Sequence, residues 1–512
     1  MEMAWTTRRV APARPEAALW CLPLGVLIGL FFLIALQLAT KWFLFLFLGS
    51  LIFAASFAPA DKKAFYLALL VFAISVRVGL NFYFQHSPVH RSTHGFLIQL
   101  HYLPLAALYA IWAGRCWLAQ GPPGIATRGL LPFTAFFAVG VTSVLLRGNI
   151  LFGAFDLFAL LGSGALFVYA SSELRSRRDL HIVLAVLVAS VAIQGVIAIG
   201  QHLSQTTLGL EFFGAYDDPG LKARTWRGLA ERTRVGGTIG HPNALALFFD
   251  LLLPLAFSLV FAPVQRGRRF LLLSAVGLGT LGLAFTLSRG GLVATGLGCL
   301  LIFFVWLKQR IGLLPSLCAT ILPAALTLVL LFGTPNLISK RFFRDDYKAA
   351  FGRIPLMLVA LNMIRHRPFF GVGLNNYNEV APRLDNTPQR VTSWWNVPVH
   401  NQFLFIAAEI GLIGLASYLL FVLAILKSLW PAMRSRDSLL AWSSLGVALG
   451  ITVFLAHLQI EFDSMARNSL FWFVSGLAVS LGRIAELTSK EAGAPGNIVL
   501  HPILHRYPSS NS

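Results

Sequence analysis

The chain has 512 residues, of which 56% are hydrophobic and only 12% charged, against roughly 25% charged in an ordinary soluble domain. That balance excludes a disordered chain and a soluble enzyme. It fits a polytopic membrane protein, in which apolar runs of about 20 residues each cross a hydrocarbon core of roughly 30 Å. The net charge of +20 does not call for nucleic acid, because membrane proteins concentrate Lys and Arg in cytoplasmic loops for orientation alone.

Fourteen spans are predicted in chain order: 19–39, 42–58, 64–83, 96–114, 129–146, 151–170, 180–202, 242–262, 269–288, 290–308, 312–333, 402–427, 438–459 and 468–485. The first follows Arg8, Arg9 and Arg14 as a signal peptide would, but it is too long for a signal core and is read as a retained span. Cys21, Cys116, Cys299 and Cys318 sit in or beside apolar runs, with neither metal-ligand nor disulfide spacing. With the N-terminus inside, the tail and six cytoplasmic loops hold eighteen Lys and Arg residues. The short loops opposite hold five: Lys41, Arg91, Arg147, Arg289 and Arg467. Both termini are therefore expected in the cytoplasm. The chain divides into N-terminal spans (1–203), spans carrying arginine motifs (204–333), a large outer loop (334–401) and C-terminal spans with a cytoplasmic tail (402–512).

Two long loops, 203–241 and 334–401, fall on the outer side and carry fourteen basic residues against eight acidic ones. Long loops translocate regardless of charge, so the surplus has another cause: a face that binds lipid headgroups, or an anionic substrate handled there. Three sequence pieces bear on the second reading. Arg234-Val-Gly-Gly-Thr-Ile-Gly-His-Pro-Asn243 runs into a span. Its glycines allow close backbone approach, and the helix start that follows presents N–H groups suited to phosphate. Ser288-Arg-Gly-Gly291 turns a tight hairpin, where an arginine needs a partner or an anionic ligand unless it reaches out to headgroups. Arg147 occupies a similar hairpin. In Val397-Pro-Val-His-Asn-Gln402, His400 precedes a helix N-terminus, whose dipole disfavours the imidazolium and leaves a neutral base. Asn401 follows it.

Charges inside apolar runs usually pair, so Arg77 is expected to pair with Asp156 or Asp250. Glu409 lies one span-face away from His400 and about 13 Å deeper, so a helix-packing hydrogen bond suits it better than contact with that histidine. The loop 368–399 offers amides and aromatic faces, among them Tyr377, Trp394 and Trp395, which suit either sugar recognition or an interfacial aromatic belt. The segment 349–366 is predicted as a helix on the membrane surface. His86, His90 and His94 have helical metal spacing, but Pro88 interrupts them, so no metal site is expected.

Together these pieces resemble the O-antigen ligase and O-antigen polymerase superfamily. The shared pattern is Arg-x-x-Gly-Thr-x-Gly-x-Pro-Asn, then Ser-Arg-Gly-Gly, then Pro368-x-x-Gly-Val-Gly373, then His400-Asn-x-x-Leu with Glu409-x-Gly-x-x-Gly414, over about 230–415. The resemblance implies an all-α, GT-C-like transmembrane bundle of about 12–14 spans with short helices in a large periplasmic loop. It implies a bacterial inner-membrane glycosyltransferase, independent of metal and cofactor. The donor would be a glycan on undecaprenyl diphosphate and the acceptor a glycolipid, glycan or protein hydroxyl. By the resemblance Arg234, Arg289 and Arg353 would hold the diphosphate and His400 would be catalytic; Arg147 joins the diphosphate candidates by its hairpin position alone. A repeat-unit polymerase is the alternative within the class, and a transporter or flippase of an anionic or lipid-linked solute lies outside it.

Overall fold

A computed structural model describes residue 29 and residues 40–491, apart from 77, 88, 90–92, 120–123, 214–221, 224–231 and 334–346. The chain divides into two units, Met1–Ala60 and Asp61–Ser512. The first includes the apolar helix α1 (Thr40–Ala55). The second unit is an all-α polytopic bundle: α2 (Lys62–Ile74), α3 (Tyr102–Leu118), α4 (Leu130–Arg147), α5 (Ile150–Glu173), α6 (Arg177–Ser204), α7 (Pro242–Leu259), α8 (Arg266–Thr286), α9 (Arg289–Ile311), α10 (Leu313–Gly333), α11 (Tyr347–His366), α12 (Gln402–Ser428), α13 (Ser438–His457) and α14 (Ser469–Glu491). Among the described residues, eight helices are long and apolar enough to cross a membrane, so the chain is a multi-pass membrane protein.

Two expected spans are corrected. The apolar run 64–83 does not continue as one helix. It stops at Ile74, and the chain then pairs Gly79–Phe82 (β1) with Phe96–Gln99 (β2) as an antiparallel hairpin, in register from Gly79 with Gln99 to Phe82 with Phe96. The run 96–114 therefore begins as a strand and becomes helical at Tyr102. Helix-breaking sequence between the two runs leaves their backbone amides to be satisfied across the hairpin instead of along a helix. The expected span 19–39 lies outside the described residues except for residue 29.

Burial separates central from peripheral helices. The apolar windows of α7 and α14 are 83% buried, whereas that of α9 is 22% buried and faces outward. α13 lies against α7 through glycines: a Cβ at Gly450 would overlap the Leu251 carbonyl oxygen, and one at Gly446 would lie 2.7 Å from Leu255 Cα. Small residues let apolar helices approach at backbone distance. This approach brings the end of α13 to the side of Asp250 on α7.

The connection from α11 to α12 has its own core of Leu356, Val359, Ala360, Met363, Val372, Tyr377, Val391, Val399 and Phe405. The expected helix over 349–366 is present as α11. One of its faces enters this core, and the opposite face leaves Ile354, Met357, Leu358 and Leu361 exposed.

The loop is joined to α12 at a break in that helix. Gly411 adopts φ 79°, ψ 177°, a conformation open only to glycine. The break frees backbone groups that a buried helix cannot leave unpaired. The loop motif satisfies them: Leu412 N–H donates to the Pro368 carbonyl at 2.7 Å, Val372 N–H to Ala408 O at 2.9 Å and Gly373 N–H to Glu409 O at 2.9 Å. Ser143 of α4 donates to Glu409 O at 2.9 Å and to Phe370 O at 2.6 Å. Pro-x-x-Gly-Val-Gly and Glu-x-Gly are thus two halves of one backbone ladder.

Candidate functional site

Three arginines far apart in sequence meet at one cavity. Arg234, Arg289 and Arg353 line a space of about 300 Å³ together with Asn243, Ser288, Gly290, His457 and Glu461. The hairpin between α8 and α9 turns at Leu287, which has φ 52°, and this places Arg289 at the first position of α9. Arg234 sits just before the glycine loop, where its Nε donates to Thr286 O at 2.9 Å and its Nη2 to Asn243 Oδ1 at 2.7 Å. Asn243 in turn donates from Nδ2 to Glu461 Oε2. Glu461 also lies 3.9 Å from Arg353 Nη2 and 3.9 Å from His400 Nε2. One carboxylate therefore gathers α7, α11 and the His400 segment around the cavity.

The position of Glu461 follows from backbone ties between its connector and the start of α12. Asn401 caps α12, accepting from Phe403 N–H and Leu404 N–H at 3.0 Å each. Its Nδ2 donates to Gln459 O at 2.9 Å. Gln402 N–H donates to Leu458 O at 2.9 Å, and Asp463 N–H donates to Gln402 Oε1 at 2.7 Å. The expected supporting residue Asn401 thus fixes both chain segments that carry His400 and Glu461.

His400 has 15% of its side chain exposed. Trp395 lies on one side of its ring, with centroids 5.4 Å apart, and Phe462 lies edge-on at 5.5 Å. Burial holds the imidazole below its ordinary pKa and the Arg353 charge adds to this, against the opposing pull of Glu461 and the Pro398 carbonyl. A neutral imidazole near pH 7 follows. Glu461→Gln is expected to lower the His400 titration midpoint further, because the carboxylate is the group that favours the charged ring; histidine-selective NMR of the labelled protein reads that midpoint.

The remaining expected residues fall into distinct places. Trp394 stacks on Trp395 at 6.2 Å and is 62% exposed, extending an aromatic surface outward from His400. Tyr377 is corrected: it is buried beneath Phe405 in the loop core and offers no face to a glycan. Glu409 is buried, and its carboxylate accepts from Tyr377 N–H at 3.3 Å, which anchors the loop. Asp250 is bonded to His457 and Thr295. Asp156 lies elsewhere and accepts from Thr93. Arg77, expected to pair with one of these two, lies outside the described residues, as does the side chain of Arg147 at the end of α4.

Several amides of the glycine loop are already bonded within the protein. Gly237 N–H donates to Gln201 Oε1 at 2.9 Å and Thr238 N–H to Gln194 Oε1 at 3.2 Å, so its glycines serve packing against α6. Pro242 does occupy the first turn of α7, behind a His241 cap.

Glu461 and His457 stand in none of the motifs above. The available signal was charge: the connector Gln459–Ser464 carries two acids, Glu461 and Asp463, in a chain with 21 acids among 512 residues.

The fold and this cavity define a multi-pass, all-helical membrane protein with an arginine-lined pocket. Residues 272–419 match the family model described as O-antigen ligase. The match spans Arg289, Arg353, His400 and the Gly411 break; Arg234 precedes it and Glu461 follows it. No curated protein matches the chain.

Proposed function

We propose that the protein is a glycosyltransferase that moves a glycan from a polyprenyl diphosphate to an acceptor hydroxyl. The observation that carries this reading is the convergence of Arg234, Arg289 and Arg353 with Glu461 on one cavity beside His400. Three guanidiniums against one carboxylate leave a net positive site. Arginine's planar fork suits diphosphate oxygens.

In the proposed step the acceptor oxygen attacks the anomeric carbon as the bond from that carbon to the diphosphate oxygen breaks. The bond electrons pass to the diphosphate, and the arginines stabilise the charge that develops there. His400 Nε2 takes the acceptor proton, and the configuration inverts. The energy resides in the diphosphate ester, so the reaction needs no nucleotide. Trp394 and Trp395 give the glycan an aromatic face next to the base. The charge asymmetry of the loops supports a bacterial inner-membrane protein with both termini cytoplasmic and this cavity periplasmic.

The test is transfer by purified protein from undecaprenyl-diphosphate-linked glycan in liposomes. Arg289→Ala is expected to lower kcat/KM by about 10²-fold or more, the scale on which loss of one charge-stabilising donor acts; unchanged transfer would remove the assignment. The same assay separates ligase from polymerase, because a ligase yields one transfer to an acceptor such as a glycolipid while a polymerase lengthens the lipid-linked chain.

A further inference from the structure

His457 ends α13 at the edge of the cavity, and the mechanism above gives it no task. Its Nδ1 lies 2.6 Å from Asp250 Oδ2, and the other oxygen of Asp250 accepts from Thr295 Oγ1 at 2.5 Å. Asp250 is fully buried and His457 is 3% exposed. A buried carboxylate is costly unless hydrogen bonds and an opposite charge compensate it. Here the hydroxyl and the imidazole do so, and Nδ1 must carry a proton to bond the carboxylate.

The other ring edge points the opposite way. His457 Nε2 is 3.3 Å from Ser288 Oγ, within the hairpin that presents Arg289. A Cβ at Gly290 would lie 2.5 Å from His457 Cδ2 and 2.7 Å from Nε2. The glycine after Arg289 is thus what lets the imidazole reach the turn. Ser288, Arg289, Gly290 and His457 all line the cavity. The charged and titratable groups around the ring are Asp250 from α7, Arg353 from α11 and Glu461 from its own connector, with Arg289 from α9 and Arg234 across the cavity.

We propose that His457, paired with Asp250 as an imidazolium, is a further cationic donor to the diphosphate, offering Nε2–H beside Arg289. The proposal rests on the diphosphate-donor reading above. It adds no proton transfer to the reaction: Asp250 keeps the ring charged and oriented, and His457 binds the leaving group.

The experiment measures equilibrium binding of geranylgeranyl diphosphate to the full-length protein in detergent between pH 5.5 and 8.5. The wild type is compared with His457→Gln, Asp250→Asn and Arg289→Gln. At the acidic end, wild type is expected to bind about tenfold more tightly than His457→Gln, a step of the size a charged hydrogen bond supplies. That ratio should shrink towards one as pH rises through the imidazole titration. Ligand ionisation and His400 are common to both proteins, so the ratio isolates His457. Asp250→Asn should move the collapse of the ratio to lower pH, and it carries the same reading if His457→Gln does not fold. Arg289→Gln should weaken binding at every pH and keep the pH dependence. Identical affinity and pH profile in wild type, His457→Gln and Asp250→Asn would overturn this inference and leave the donor reading standing. Failure of the wild type to bind the diphosphate would overturn the donor reading itself.

Discussion

Replacing His400 by alanine is expected to lower glycan transfer by about 10²–10⁴-fold, the range supplied by one well-placed general base, with little change in the affinity for lipid diphosphate. The split follows from the geometry. The arginines that would hold the donor are anchored independently of the imidazole: Arg234 by Thr286 and Asn243, and Arg353 by its place on α11 near Glu461. The pH profile gives a second reading of the same residue. Burial and Arg353 hold the His400 pKa below its ordinary value of 6.5. A base works deprotonated, so kcat/KM should rise with pH through that lowered pKa. The acid limb should therefore fall below pH 6.5 and activity should persist into mildly acidic solution. An acid limb above 6.5, or a His400→Ala protein that transfers at the wild-type rate, would assign the proton to another group.

Gly411→Ala is expected to prevent recovery of folded protein. The backbone there is in the region reserved for glycine, so an alanine is strained by roughly 1–3 kcal/mol. Its Cβ would also overlap the carbonyl oxygen of Phe369. The overlap cannot be relieved locally, because Pro368 O and the amides of Val372 and Gly373 are bonded to the same helix break. The combined loss should exceed about 3 kcal/mol, which is a large share of the stability of an ordinary domain. Size-exclusion profile and thermal melting of the detergent-purified protein report it. Gly277→Ala on α8 is the matched control, since a Cβ there meets nothing within 4 Å. A monodisperse Gly411→Ala protein melting with the wild type would show that the break is not required.

The bundle is legible in the sequence because the length of its apolar runs is governed by the bilayer itself. The sequence failed at 64–83 and 96–114, where apolar composition alone does not separate a strand from a span end; there the hairpin pairs backbone that a helix would otherwise have paired. The cavity was partly legible. Arg234, Arg289 and Arg353 stand in motifs whose residue types advertise anion binding, and they do line one space. Glu461 and His457 carry no motif. Their positions depend on the α7–α13 glycine contacts and on the ties from Asn401 and Gln402, which are tertiary facts with no local signature. Tyr377 in the loop and Glu409 on α12 show the converse: polar types within motifs that serve to hold the loop to the helix.

The ladder between residues 368–373 and 408–412 makes the large loop and the bend in α12 inseparable. A chimera that grafts the loop of a relative onto this scaffold would have to carry the bend and the Ser143 contact with it, since any mismatch strands carbonyls in an apolar setting. Sequence divergence that leaves the scaffold intact is then confined to positions that the ladder does not use, such as the exposed Trp394, where residues can be exchanged one at a time.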